Sequence, residues 1–90
     1  MKQKISNEEI ASLCLELSLL LHAGIGTGDA LSLLAEEGDY KELLKELADA
    51  VDFGTPLSAA MKENGSFPVY VCGLIEVGER TGRTEEALSA

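Results

Sequence analysis

Glycine stands at the end of nearly every apolar segment of this sequence, and this punctuation constrains the fold more than any other feature. Within the longer segments, apolar residues recur at spacings of three and four, the period of an α-helix. Ser, Thr, Asp or Pro precedes most segments, as at helix N-termini. Val69, Tyr70 and Val71 favour a strand, but Pro68 just before them favours a helix start. We therefore predict an all-α fold, a compact bundle of about six helices built from helical hairpins.

Polar residues mark the starts of the first three predicted helices. Ser6, with Glu9 three residues later, forms a capping-box pattern that opens a helix over residues 6–23, which Gly24 ends. Thr27 is the predicted cap of a short second helix, and Asp39 opens the third with the same pattern as Ser6. Apolar residues nearly encircle the second helix, so we expect it to be buried.

Prolines mark the starts of the next two helices. Thr55 is the predicted cap of the fourth helix, with Pro56 at its first position, and Pro68 opens the fifth in the same way. The fifth helix is predicted to end at Gly82. The residues predicted to share its core-facing side are Val71, Leu74, Ile75 and Gly78. A sixth, truncated helix occupies residues 84–90, and such a short helix frays unless it docks.

The charge balance excludes several classes of partner. Sixteen Asp and Glu against seven Lys and Arg give a formal charge of −9, which repels nucleic acid and anionic membrane surfaces. No uncharged stretch is longer than residues 17–28, which number twelve, whereas a membrane-spanning helix needs about 20. We expect residues 1–90 to form a single domain that spans no membrane and binds no nucleic acid.

The sequence offers little for catalysis or for a cofactor. His22 and Cys14 lie on one predicted helix, about 12 Å apart along its axis, and so form no catalytic dyad. The glycines of residues 24–28 follow a helix, with no lysine after them, so we interpret them as an interhelical loop and not as a phosphate cradle. We predict no catalytic residue, no cofactor and no small-molecule substrate.

Two other ligand classes, a divalent cation and a phosphopantetheine group, depend on particular residues. The acidic residues 36–39 lack the spacing of an EF-hand loop, and no metal site is predicted, although a divalent cation shared between chains stays open. Acyl carrier proteins are also small, acidic and helical, but Ala30 stands where their modified serine would be. A phosphopantetheine attachment is therefore not expected.

Three side chains raise the question of what covers them. Leu15 and Leu19 point away from the main apolar stripe of the first helix, so either the fifth or sixth helix covers them or a partner or second copy does. Glu79 lies in the last turn of the fifth helix, where a carboxylate opposes the helix dipole. We expect it to be compensated by a neighbouring helix N-terminus or by Arg80 or Arg83, or to contact a partner.

Several motifs together resemble the type II secretion F domain, the cytoplasmic module of inner-membrane platform proteins in type II secretion systems and type IV pili. These motifs are Ala23-Gly24, Leu57-Ser58-Ala59-Ala60, Phe67-Pro68 and Gly78-Glu79-Arg80-Thr81-Gly82. The departures from the family pattern are Leu15-Glu16, where the family commonly has Arg-Gln, and Thr84, where it commonly has Leu.

The resemblance implies a non-enzymatic scaffold at the cytoplasmic face of the bacterial inner membrane. Such a domain would be a piece of a longer membrane protein and would couple a cytoplasmic assembly ATPase to growth of the pilin fibre. The predicted partner or homodimer contacts are Leu15, Leu19, Glu76 and Glu79. The alternative is an unrelated acidic helical adaptor or dimerisation module.

Overall fold

Six α-helices supply the regular structure of residues 5–90, the part of the chain that the computed structural model describes. They are α1 Asn7–His22, α2 Thr27–Glu37, α3 Lys41–Asp52, α4 Leu57–Asn64, α5 Val69–Thr81 and α6 Thr84–Ser89. These residues contain no β-strand, so the prediction of an all-α fold with a short sixth helix is confirmed. Residues 1–4, which belong to the predicted domain, lie outside the described residues.

The two ends of α1 form as their residues dictate. The backbone N–H of Glu9 donates to Ser6 Oγ at 3.1 Å, and the backbone N–H of Ser6 donates to Glu9 Oε1 at 3.0 Å. This capping box satisfies N–H groups that the first turn leaves without helical partners. Gly24 follows the helix with φ +92°, a left-handed conformation in which a side chain would be strained. The chain can therefore reverse sharply there.

The starts of α2 and α3 differ from the prediction. Thr27 is the first residue of α2 and Gly26 is its N-cap, whereas Tyr40, and not Asp39, is the N-cap of α3. Neither helix has a side-chain hydrogen bond at its cap. The predicted capping roles of Thr27 and Asp39 are wrong, because the first helical hydrogen bonds run to the carbonyl oxygens of Gly26 and Tyr40, one residue from each predicted cap.

Prolines occupy the N-cap positions of α4 and α5. Pro56 and Pro68 precede the first helical residues, with extended ψ angles of 148° and 147°. Thr55 makes no capping hydrogen bond; its backbone N–H donates to the carbonyl oxygen of Ala50 at 2.9 Å and closes the turn after α3. The predicted cap role of Thr55 is therefore wrong, and each helix starts one residue later than predicted.

Successive helices pack against each other, and α6 returns to pack against α1, so the six helices form a closed ring around one core. Leu31 of α2 and Ile75 of α5 are its largest fully buried side chains. The apolar side of α3 lies in this core. Its fully buried members are Leu43, Leu44, Leu47 and Ala48. In α2, Ala30 and Leu31 are buried but Leu33 is exposed, so the predicted burial of α2 holds for only part of its circumference.

The short α6 is docked along its length. Leu88 is buried, and Ser18 Oγ donates to the carbonyl oxygen of Glu85 at 3.0 Å. On the α5 side, a Cβ placed on Gly78 would lie 2.7 Å from the Cβ of Ala87 and 3.0 Å from the carbonyl oxygen of Arg83. Glycine at position 78 therefore lets α6 approach the backbone of α5, and this close packing holds a helix that would be marginal alone.

No helix among residues 5–90 combines the length and the apolar character that crossing a bilayer requires.

Candidate protein-protein interface

The solvent side of α5 is apolar. Val69, Tyr70, Leu74 and Val77 are between 55% and 79% exposed. At 100° per residue these side chains and Gly73 occupy one continuous arc of roughly 140° around the helix. We call these five residues the α5 face. An apolar surface of this kind is typical of a contact site for another protein.

The α5 face corrects one core prediction. Cys72, Ile75 and Gly78 are buried and Val71 is half-buried, but Leu74, predicted to face the core, is 55% exposed. Leu74 lies about 100° from the buried Ile75 around the helix, and this part of the circumference is left mostly in solvent. This face was not predicted from the sequence, although apolar residues spread around most of the helix were a signal of it.

Gly73 has no packing role among residues 5–90. A Cβ placed on it would have no heavy atom within 4 Å, yet it lies in the middle of α5, where glycine costs about 0.5–1 kcal/mol relative to alanine. The contrast with Gly78, which has atoms of α6 against it, is clear. A glycine with open space beside it would allow the backbone of another helix to approach closely.

Glu76 lies at the edge of the α5 face. Arg80 Nη2 donates to Glu76 Oε2 at 2.9 Å, and both side chains are exposed. Glu76 also lines an open groove between α4 and α5, together with Lys62 and Gly73. The ion pair neutralises both charges, so this predicted contact residue borders an apolar surface without adding net charge to it.

Glu79 caps a neighbouring helix. Its two carboxylate oxygens accept hydrogen bonds from the backbone N–H of Ser58 at 3.0 Å and from Ser58 Oγ at 2.5 Å. Ser58 is buried in the first turn of α4, where backbone N–H groups lack helical partners. The carboxylate that opposes the dipole of α5 is therefore compensated by the N-terminus of α4, one of the roles expected for it, and both oxygens are engaged within the domain.

Leu15 and Leu19 remain uncovered by the rest of the described chain. They are 49% and 61% exposed, so the expected cover by α5 or α6 is absent. The reason is that α6 packs against another side of α1, where Ser18 meets Glu85. Beside Leu19, an open groove runs between α1 and α2. We call it the α1–α2 groove, and its lining residues are Glu16, Leu19, Leu20, Leu33, Leu34 and Glu37.

The side chains considered for catalysis are an exposed histidine and two thiols whose pKa values are raised. His22 is an exposed residue with Nδ1 3.1 Å from Glu85 Oε1. Burial raises the pKa of the Cys14 thiol, with the nearby Cys72 adding to the effect, and burial also raises the pKa of Cys72. Raised pKa values keep both thiols protonated and unreactive at neutral pH. Among residues 5–90, no three His, Cys, Asp or Glu side chains converge as metal ligands would; a cation shared between chains stays a prediction.

The fold and the surface together define a class: small helical domains that leave apolar faces in solvent, available for contacts with other proteins. Residues 13–90 match the family described as type II secretion system (T2SS), protein F. This match covers most of the chain, and the chain belongs to that family.

The match to a curated relative supports the same family. The chain is 31% identical over 86 residues to a type IV pilus assembly protein, TapC, of Aeromonas hydrophila. The alignment covers 91% of this chain but only 21% of the relative, so the chain spans about a fifth of that protein's length. The resemblance inferred from the sequence motifs is confirmed.

Proposed function

We propose that this chain is a cytoplasmic domain of an inner-membrane platform protein in a type II secretion or type IV pilus assembly machine, and that it transmits contacts between the assembly ATPase and the growing fibre. The family match supports a place in such a machine, and the relative is by name a pilus assembly protein. In this proposal the chain is one part of a longer membrane protein.

The α5 face is the observation that carries the proposal. It presents four exposed apolar side chains around a glycine with open space beside it. The role is structural, because the face offers area and shape and no reactive groups. Leu15, Leu19 and Glu76 are proposed as further contact residues. Glu79 acts within the domain in this proposal, since its oxygens are bonded to Ser58.

The formal charge of −9 favours contact with a protein partner over contact with the anionic membrane surface. Like charges repel, so the domain would not lie flat on anionic headgroups. A basic patch on a partner would be steered toward the domain, with electrostatics setting mainly the encounter rate and the register.

The test uses the full-length protein in its own bacterium. Val77→Glu places a charge in the α5 face, and Phe53→Glu is the matched control, because Phe53 is 94% exposed in the turn after α3, outside that face. We expect Val77→Glu to abolish fibre assembly or secretion at unchanged protein abundance, and Phe53→Glu to retain it.

A photo-crosslinking amino acid at Tyr70 identifies what the α5 face touches, and we expect the assembly ATPase. Normal assembly by the Val77→Glu protein, or by a protein lacking residues 1–90, would refute the proposed function. Crosslinks only between two copies of this chain would instead support the alternative, a dimerisation module. Sedimentation of the purified chain would then measure its self-association.

A further inference from the structure

The charges of this domain are divided unequally between its helices. Residues 5–40, which contain α1 and α2, include no Lys or Arg. Their acidic residues are Glu8, Glu9, Glu16, Asp29, Glu36, Glu37 and Asp39. The cations among the described residues all lie later, and they are Lys41, Lys45, Lys62, Arg80 and Arg83. Apart from His22 at the end of α1, the charged side chains of α1 and α2 are therefore all acidic.

The α1–α2 groove combines this acidity with an apolar floor. Leu19, Leu20, Leu33 and Leu34 line it, and Leu19 and Leu33 are 61% and 41% exposed. Glu16 on α1 and Glu37 on α2 also line the groove. Neither carboxylate belongs to an ion pair formed among residues 5–90. Any occupant that covers the leucines also removes water from these two carboxylates.

Removing water from a carboxylate is costly unless a cation or a hydrogen-bond donor replaces the water. The occupant must therefore bring apolar side chains for the floor and cations for the acidic residues. A second copy of this surface would bring more carboxylates, and an anionic membrane would bring more negative charge, so both are disfavoured. A helix with an apolar stripe flanked by Lys or Arg satisfies both requirements.

We propose that the α1–α2 groove binds a basic amphipathic helix of a protein partner. The apolar side chains of that helix, at spacings of three and four, contact Leu19 and Leu33, and its flanking cations pair with Glu16 and Glu37. Grooves between helices commonly bind helices in this way. The proposal goes beyond the proposed function and stands on a different surface from the α5 face.

The probe is a synthetic 18-residue helical peptide with leucines at spacings of three and four and lysines on either side. The control peptide has glutamate at every lysine position. Binding to the 90-residue chain is measured by fluorescence anisotropy at two salt concentrations, and amide chemical shifts locate the site. We expect the lysine peptide to bind, more weakly at high salt, with shifts centred on Leu19 and Leu33, and the glutamate peptide not to bind.

Two pairs of variants test the groove itself. Leu19→Ser/Leu33→Ser should weaken binding of the lysine peptide at least tenfold, whereas Val69→Ser/Val77→Ser, which removes two exposed apolar side chains from the α5 face, should change it less than twofold. Circular dichroism melts establish that each variant is folded. Both pairs replace exposed side chains, so the fold is expected to survive.

A charge-matched pair separates the groove from general attraction to an acidic protein. Glu16→Gln/Glu37→Gln should weaken binding about tenfold and flatten its salt dependence. Asp49→Asn/Glu63→Gln removes the same charge from exposed positions on α3 and α4 and should weaken it less than threefold. Equal effects of the two pairs, shifts centred on the α5 face, or equal binding of the two peptides would overturn the proposal.

A photo-crosslinking amino acid at position 33, in place of Leu33 in the full-length protein, captures the natural partner. Sequencing of the crosslinked peptide then identifies the partner segment that lies in the groove. A segment with an apolar stripe and flanking Lys or Arg supports the proposal, and an acidic or non-helical segment overturns it. Failure of this proposal leaves the α5 face tests untouched, because the Val77→Glu and Leu33 experiments report on separate surfaces.

Discussion

Replacing Glu79 by alanine removes a carboxylate that two donors of Ser58 share. Ser58 is buried, so its backbone N–H and its hydroxyl would each lose a partner in a place with limited access to water. The change acts at the contact between α4 and α5, which these hydrogen bonds tie together. The substitution therefore measures how much one carboxylate contributes to the free energy of unfolding of the domain.

The magnitude follows from the two hydrogen bonds and the helix dipole. A hydrogen bond to a charged group contributes about 1.5–3 kcal/mol, and we take the lower end because Glu79 is only half-buried. Removing a carboxylate from the last turn of α5 returns about 0.3–1 kcal/mol. We expect Glu79→Ala to lower the free energy of unfolding by about 2 kcal/mol. For a domain of this size, that lowers Tm by about 8–16 °C.

The assay is urea and thermal unfolding followed by circular dichroism, for Glu79→Ala, Ser58→Ala and the double variant. The double-mutant cycle should give a coupling free energy of about 1 kcal/mol or more, since the two residues share these bonds. Glu76→Ala, three residues earlier in α5, is the control, and the loss of its exposed ion pair should cost less than about 0.5 kcal/mol. Equal stability of Glu79→Ala and Glu76→Ala, or a coupling near zero, would refute this reasoning.

Two further predictions concern α5 and the start of α3. Gly78→Ala should destabilise the domain by about 1–3 kcal/mol because the new methyl group meets the backbone of α6, whereas Gly73→Ala should stabilise it by about 0.5–1 kcal/mol because that position is open; urea unfolding compares them, and equal signs would contradict the packing described here. A hydrogen bond with Glu9 raises the pKa of Tyr40 to about 12, so in a Tyr70→Phe background the tyrosinate absorbance should appear with a midpoint near pH 12, and Glu9→Gln should move the midpoint toward the ordinary value. Because the pKa of Tyr40 is raised in the folded state, its contribution to stability is complete below pH 10 and is lost between pH 10 and 12; a midpoint near 10 while circular dichroism still shows the folded state would refute the contact.

The site could be predicted only in part. The spacing of Leu15 and Leu19 predicts that they point away from the core-facing side of α1, and they are exposed. The compensation of Glu79 by a neighbouring helix N-terminus was one of two internal roles expected, but the sequence did not name Ser58. The α5 face was missed, since a helix that is apolar around most of its circumference does not reveal which side its neighbours cover.

The sequence by itself determined the number and order of the helices, and it placed their starts to within one residue. Those features depend on local chemistry: the hydrogen bonds of the Ser6–Glu9 capping box, the restricted φ of proline, and the left-handed conformation open to glycine at positions 24 and 82. Such effects act within a few residues and can be read from the order of the residues.

Only the tertiary structure decided which sides of the helices are covered. The hydrogen bond from Ser18 to Glu85 and the pairing of Ser58 with Glu79 join residues far apart in the sequence. The exposure of Leu74 depends on which sides of α5 the neighbouring helices cover. Burial of apolar surface is non-directional, so periodicity shows that a face prefers cover but not what covers it. The closed ring of helices settles that, and it leaves the α5 face and the α1–α2 groove exposed to solvent.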